Sequence, residues 1–138
     1  MTEPADALDL RVYWEDTDAG GVVFYANYLK FFERARTEWL RTLGVEQQRL
    51  KDETGLLFIV VCAHIRYHAP ARLDDVLRVD LRVAQARPAS LLLEQRALRA
   101  GTLLASAQVR IGCVQADTWR AQRLPRPLLA ALNNNHKT

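Results

Sequence analysis

Hydrophobic and polar residues alternate near the start of the chain and change period soon after. Leu8, Leu10, Val12 and Trp14 are interleaved with Asp9, Arg11 and Tyr13, the two-residue period of a strand with one buried face. Residues 15–21 break that pattern with acids and a Gly20-Gly21 pair, a turn signal. From about 26 to 43 the period lengthens. Tyr28, Phe32, Ala35, Trp39 and Leu43 recur every three or four residues, and Leu29, Phe31 and Leu40 widen the stripe. Lys30, Glu33, Arg34 and Arg41 fall largely outside it. The spacing predicts a long amphipathic helix with a bulky aromatic buried face, stopped by Gly44. Residues 46–53 are polar and read as a short second helix or a turn.

Strand patterns then succeed one another over 56–67, 76–86, 91–99 and 103–114. Pro70 with Asp74-Asp75, then Pro88, then Gly101 separate them, and breaks this short fit antiparallel hairpins, not crossover helices. Pro125 and Pro127 precede a short helix over 128–132, and the tail from Asn133 is expected to fray. A helix with an aromatic face must bury it, and only the sheet is available. The predicted fold class is α+β: a five-stranded antiparallel sheet wrapped around one long central helix. Its open edges are expected to pair with a second copy.

Composition narrows the class. A length of 138 residues fits one domain, 1–138, and 49% hydrophobic residues suffice for a core without staples. Cys62 and Cys113 both lie in strand patterns and are expected to be free core thiols. Residues 1–10 carry acids and a proline where a secretory leader would be basic and then apolar. The longest uncharged apolar run, 56–63, is too short to span a bilayer. A cytoplasmic location is therefore expected. The net charge of +3 and pI near 9.1 suit an anionic ligand. The cations are scattered among acids, with no basic run and no nucleic-acid-binding signature, so a nucleic-acid partner is not expected.

The stretch from Glu15 to Tyr28 holds the candidate chemistry. Asp16 and Asp18, then Gly20-Gly21, come just before the helix start. Two readings stay open. Asp and Gly there serve as cap and turn residues. Alternatively, a carboxylate and the free N–H groups at the helix start face one cavity, where they could act on a carbonyl. Elsewhere, His64 and His68 lie four apart on a strand without a third metal ligand at suitable spacing. Ser90 and Ser106 lack a nucleophile elbow. Neither cysteine is at a helix start. Glu33 and Arg36 are spaced for an intrahelical ion pair.

Arg11-Val12, Thr17-Asp18, Gly21, Val23 and Ala26-Asn27-Tyr28 resemble the signature of the 4-hydroxybenzoyl-CoA thioesterase family of hotdog folds. Phe32-Glu33-Arg34-Ala35-Arg36 is similar to the family's central helix, and 67–75, with Ala69-Pro70-Ala71-Arg72, to its next landmark. The likeness runs from about Arg11 to Pro125 and points to the acyl-CoA thioesterases encoded beside the Tol–Pal envelope system.

The resemblance implies hydrolysis of acyl-coenzyme A, with Asp18 as nucleophile or general base and the backbone N–H of Tyr25 as oxyanion donor. Asp16 does not match the catalytic position, and relatives often carry His at Tyr25. Arg87, Ser90 and Arg120 fall where the family binds coenzyme A, although Pro88 and Ala89 stand where further cations are usual. Gly20, Gly21, Val23 and Tyr28 would form the acyl pocket and its close-approach loop. No cofactor or metal is implied, and the partners would be acyl-CoA, a homodimer or homotetramer mate and, in one reading, acyl carrier protein. A non-hydrolytic acyl-CoA or acyl-carrier-protein binding module is the alternative.

Overall fold

In the computed structural model, which describes residues 6–135, β1 spans Asp6–Arg11, α1 Asn27–Thr42 and α2 Gln47–Thr54. Then follow β2 (Leu56–Tyr67), β3 (Val76–Arg87), β4 (Ser90–Arg99), β5 (Thr102–Gln115) and α3 (Arg126–Asn135). The five strands form one antiparallel sheet in the order β1-β3-β4-β5-β2. Pro88-Ala89 and Ala100-Gly101 close the two hairpins, with Arg87 opposite Ser90 and Arg99 opposite Thr102. Strands β1 and β2 are therefore the two edges, although consecutive in the chain. The segment between them must cross the sheet, which is why α1 lies over its face.

Helix α1 contains no Gly or Pro and buries Tyr28, Phe31, Phe32, Ala35, Trp39 and Leu40. It ends where Gly44, at φ 81°, donates its N–H to the Arg41 carbonyl, the left-handed stop that glycine adopts at no steric cost. Leu29 does not join the stripe and is 45% exposed. Among the described residues there are three α-helices, where the sequence reading placed a short second helix or turn over 46–53 and a short helix over 128–132 beside its one long helix. At 16 residues α1 is about 24 Å long, and α2 and α3 add eight and ten residues. Leu128 and Leu132 of α3 join the same core.

Opposite α1, buried Leu77, Val79 and Leu81 of β3 and Leu91, Leu93 and Ala97 of β4 complete the core. Between them sits a fully buried Gln95. A buried amide needs partners on both sides. Its Nε2 donates to the Phe32 carbonyl at 2.9 Å, and its Oε1 accepts from Arg36 at 3.0 Å. The expected Glu33–Arg36 ion pair does not form, because Arg36 reaches inward and Glu33 accepts from the Thr37 hydroxyl at 3.2 Å.

Two further expectations are corrected. The first strand stops at Arg11, and Trp14, 82% exposed, opens a 3-10 turn instead of extending the strand. The cause is Asp16, whose buried carboxylate accepts the Tyr13 N–H at 2.8 Å and bends the chain away from the sheet. Cys113 is a buried free thiol as expected, whereas Cys62 is exposed. It lies at a bulge between Val60 and Cys62 on the edge strand β2, opposite Arg110 of β5 and with no strand on its outer side.

Candidate active site

The loop between β1 and α1 is a small hairpin strapped to the segment before β3. Thr17 pairs with Val23 and Val22 with Arg72, and the Val23 N–H donates to the Ala71 carbonyl at 2.8 Å. At its tip Asp18 N–H donates to the Val22 carbonyl and Gly21 N–H to the Asp18 carbonyl. Gly21 sits at φ 79°, which a side chain would strain. Asp18 Oδ1 accepts the Gly20 N–H at 2.8 Å, and a Cβ on Gly20 would lie 3.2 Å from that oxygen, a tight approach that the Asp18 side chain would have to ease.

Asp16, not Asp18, holds the base of the loop. Besides its bond from Tyr13, its carbonyl accepts the Phe24 N–H at 2.9 Å and Asn27 Nδ2 at 2.8 Å. These two bonds deliver the chain into α1 at a set angle.

The start of α1 is chemically open. Ala26 is its cap residue and supplies no side-chain bond, and the first turn holds no acid. The Phe24 carbonyl accepts from Asn27 N–H at 2.8 Å, while the Tyr25 N–H has no acceptor among the described residues. Unclaimed N–H groups at the positive end of a helix favour an anion or a polarised carbonyl. Beside them is a cleft of about 320 Å³ lined by Val23, Tyr25, Tyr28, Tyr67, His68, Ala69 and Pro70. The Tyr67 ring meets Tyr28 edge-on at 5.5 Å and Tyr25 at 6.2 Å, and its hydroxyl donates to the Tyr25 carbonyl at 2.8 Å. Burial raises the phenol pKa of Tyr28 above its ordinary value, so the wall stays uncharged.

Of the residues singled out from sequence, Val23, Tyr25 and Tyr28 line this cleft. Gly20 and Gly21 form the neighbouring turn and do not. Asp18 is exposed, caps its own turn and is not among the lining residues. The sequence reading had it face one cavity with the helix start, and within a single chain it does not.

Arg87, Ser90 and Arg120 all lie toward the opposite end of the sheet. The 120–124 segment runs beside the β3–β4 hairpin, with Leu124 N–H donating to the Pro88 carbonyl at 2.9 Å and Ala121 bridging Val114. Arg87 and Arg120 are exposed. Ser90 Oγ accepts from Arg110 at 3.3 Å, so Arg110 adds a cation that the linear pattern did not reveal. Only strand register exposes it, since it comes from β5. The hairpin is level with Ile59 of β2 and the cleft with Tyr67. At about 3.3 Å per residue the two groups lie roughly 25 Å apart along one chain.

Tyr67, His68, Ala69 and Pro70 were read as strand and landmark, not as pocket, and nothing local in the sequence marks them as walls. His68 Nε2 lies 2.9 Å from Ser106 Oγ. Among the described residues no group of three His, Cys, Asp or Glu could hold a metal ion, and no helix is long and apolar enough to cross a membrane.

Comparisons with known proteins agree with this architecture. Residues 12–132 match the thioesterase-like superfamily. The chain is 43% identical to an acyl-CoA thioesterase, YbgC, of Haemophilus influenzae, over 97% of this chain and 98% of that protein. A probable thioesterase from Bartonella henselae superposes with a TM-score of 0.82 at 34% identity, covering 87% of this chain and 98% of that one. A 1,4-dihydroxy-2-naphthoyl-CoA thioesterase from Synechocystis superposes with a TM-score of 0.87 at 27% identity, covering 96% and 98%. With its sheet, its crossing helix and a match over nearly its whole length, the chain belongs to the thioesterase-like superfamily of hotdog folds.

Proposed function

We propose that this protein hydrolyses acyl-coenzyme A thioesters to a free acid and coenzyme A. The observation that carries the reading is the unclaimed Tyr25 N–H at the start of α1, beside an acyl-sized cleft and next to the Asp18 loop. The likeness to acyl-CoA thioesterases adds to it. The acyl group enters between Val23, Tyr28 and Tyr67 with its carbonyl oxygen on the Tyr25 N–H. Negative charge gathers on that oxygen as the carbonyl carbon becomes tetrahedral, and a donor fixed beforehand stabilises it most. Asp18 supplies the nucleophilic side, in one of two ways. It attacks the carbon, expels the thiolate and forms an anhydride that water then cleaves, or it takes a proton from the attacking water. In either route water's proton ends on the departing thiolate. The chain's own groups carry out each step without a cofactor or metal.

The working unit in this proposal is two copies joined along the free edge of β2. Antiparallel pairing of a strand with itself exchanges its ends about a two-fold axis. The Arg87, Ser90 and Arg120 end of one copy then approaches the Tyr25 end of the other. That removes the separation of roughly 25 Å within one chain, and gives the coenzyme A phosphates guanidinium partners. It also walls the cleft on the side where Asp18 is now exposed. Each 1–138 chain acts as one domain of that unit, as a homodimer or as dimers paired into a homotetramer, in the cytoplasm.

The test is release of thiol from purified protein and a graded panel of acyl-CoA thioesters, followed with a colorimetric thiol reagent. Turnover proportional to enzyme supports the proposal, and binding without release contradicts it. One observation favours a second reading. Asp18 is tied to Gly20 at 2.8 Å, which suits a module that holds acyl-CoA or acyl carrier protein without hydrolysis. The same assay separates the two.

A further inference from the structure

Among the residues around the cleft, Tyr67 makes a contact that the proposed chemistry has not used. It ends β2, 42 residues from Tyr25 in sequence, and its hydroxyl donates to the Tyr25 carbonyl at 2.8 Å. The neighbouring peptides explain why this matters. The amide that carries the Tyr25 N–H shares its plane with the Phe24 carbonyl, which the Asn27 N–H holds at 2.8 Å. The next amide, bearing the Tyr25 carbonyl, lies outside the α1 ladder and is held by the Tyr67 hydroxyl. Tyr25 therefore has the plane on one side fixed by its own turn and the plane on the other fixed from the sheet. Its φ and ψ have little freedom while both bonds stand.

From this geometry we infer that Tyr67 is a positioning residue, which aims the Tyr25 N–H by holding the peptide that follows it. The inference rests on the proposed oxyanion role of that N–H. A preorganised donor is worth more than one that must turn at the moment of reaction, so the loss should fall on the transition state and not on substrate binding. Burial raises the Tyr67 phenol above its ordinary pKa, with a smaller contribution from nearby Tyr25, so the hydroxyl keeps its proton at neutral pH. The ring itself, edge-on to Tyr28 at 5.5 Å, is a separate function that phenylalanine preserves.

The test is Tyr67→Phe in the full chain, measured with the wild type and with Asp18→Asn. A fall of about tenfold in kcat is expected, the scale of one lost neutral hydrogen bond. KM and the Kd of a non-hydrolysable thioether analogue of the substrate should stay within about twofold. Hydrogen exchange at residues 24–27 should quicken. Wild-type kcat in Tyr67→Phe overturns the inference, and so does an equal loss in analogue affinity, which would make Tyr67 a wall only. If Asp18→Asn abolishes turnover while Tyr67→Phe is silent, only this inference falls. If the wild type releases no thiol, the thioesterase reading falls, and exchange at 24–27 alone still decides whether Tyr67 holds the turn.

Discussion

Asp16 and Asp18 are two residues apart on one loop, and their surroundings divide the work between them. Asp16 is 7% exposed and its carboxylate accepts the Tyr13 N–H. Asp16→Ala strands that donor, and a loss of about 1–3 kcal/mol in unfolding free energy is expected from denaturant titration. Asp18 is exposed and bonds only its own turn, so its replacement by Asn should leave the melting temperature in place. Sequence pattern could not separate the two acids. The family resemblance chose Asp18, and the burial of Asp16 with its bond from the Tyr13 N–H is a physical reason why Asp16 is unsuited to the chemistry. Tyr67 shows the opposite case. Its bond to Tyr25 joins positions 42 apart, and no local spacing carries such information.

At the level of elements, the limits of β2 to β5 were readable because Pro70, Asp74-Asp75, Pro88 and Gly101 interrupt the hydrophobic pattern where the ladder ends. The limits of α1 were readable because its apolar stripe keeps one period until Gly44. The end of β1 was not. Its alternation continues through Trp14, and a side-chain bond from Asp16 overrides it. Gln95 was hidden for a similar reason, because a strand pattern marks it as inward-facing without naming partners. Its bonds to the Phe32 carbonyl and Arg36 clamp α1 to β4. Gln95→Leu removes the second donor to the Phe32 carbonyl, which keeps its place in the α1 ladder, and takes the acceptor from the half-buried Arg36 guanidinium, and a loss of about 1–3 kcal/mol is expected. A lower urea midpoint with an unchanged slope would show it, whereas an unchanged midpoint would mean that the clamp adds nothing to stability.

At the scale of the whole molecule, the sheet keeps the helix start and the Arg87 hairpin at opposite ends, which led to the proposal of a shared site between two copies. The arrangement predicts complementation. Arg87→Ala should raise KM about tenfold, the scale of one charge-assisted phosphate bond. Mixed and reassembled with Asp18→Asn, it should recover activity, because one of the two sites in a mixed dimer is then intact. No recovery on mixing would place both residues in the same copy or outside the site. The central claim, that a carboxylate beside the open start of α1 drives thioester hydrolysis, is tested most directly by kcat of Asp18→Asn in the thiol-release assay. A folded variant with kcat lowered by about two to four orders of magnitude is predicted. A folded variant with wild-type turnover would contradict the claim.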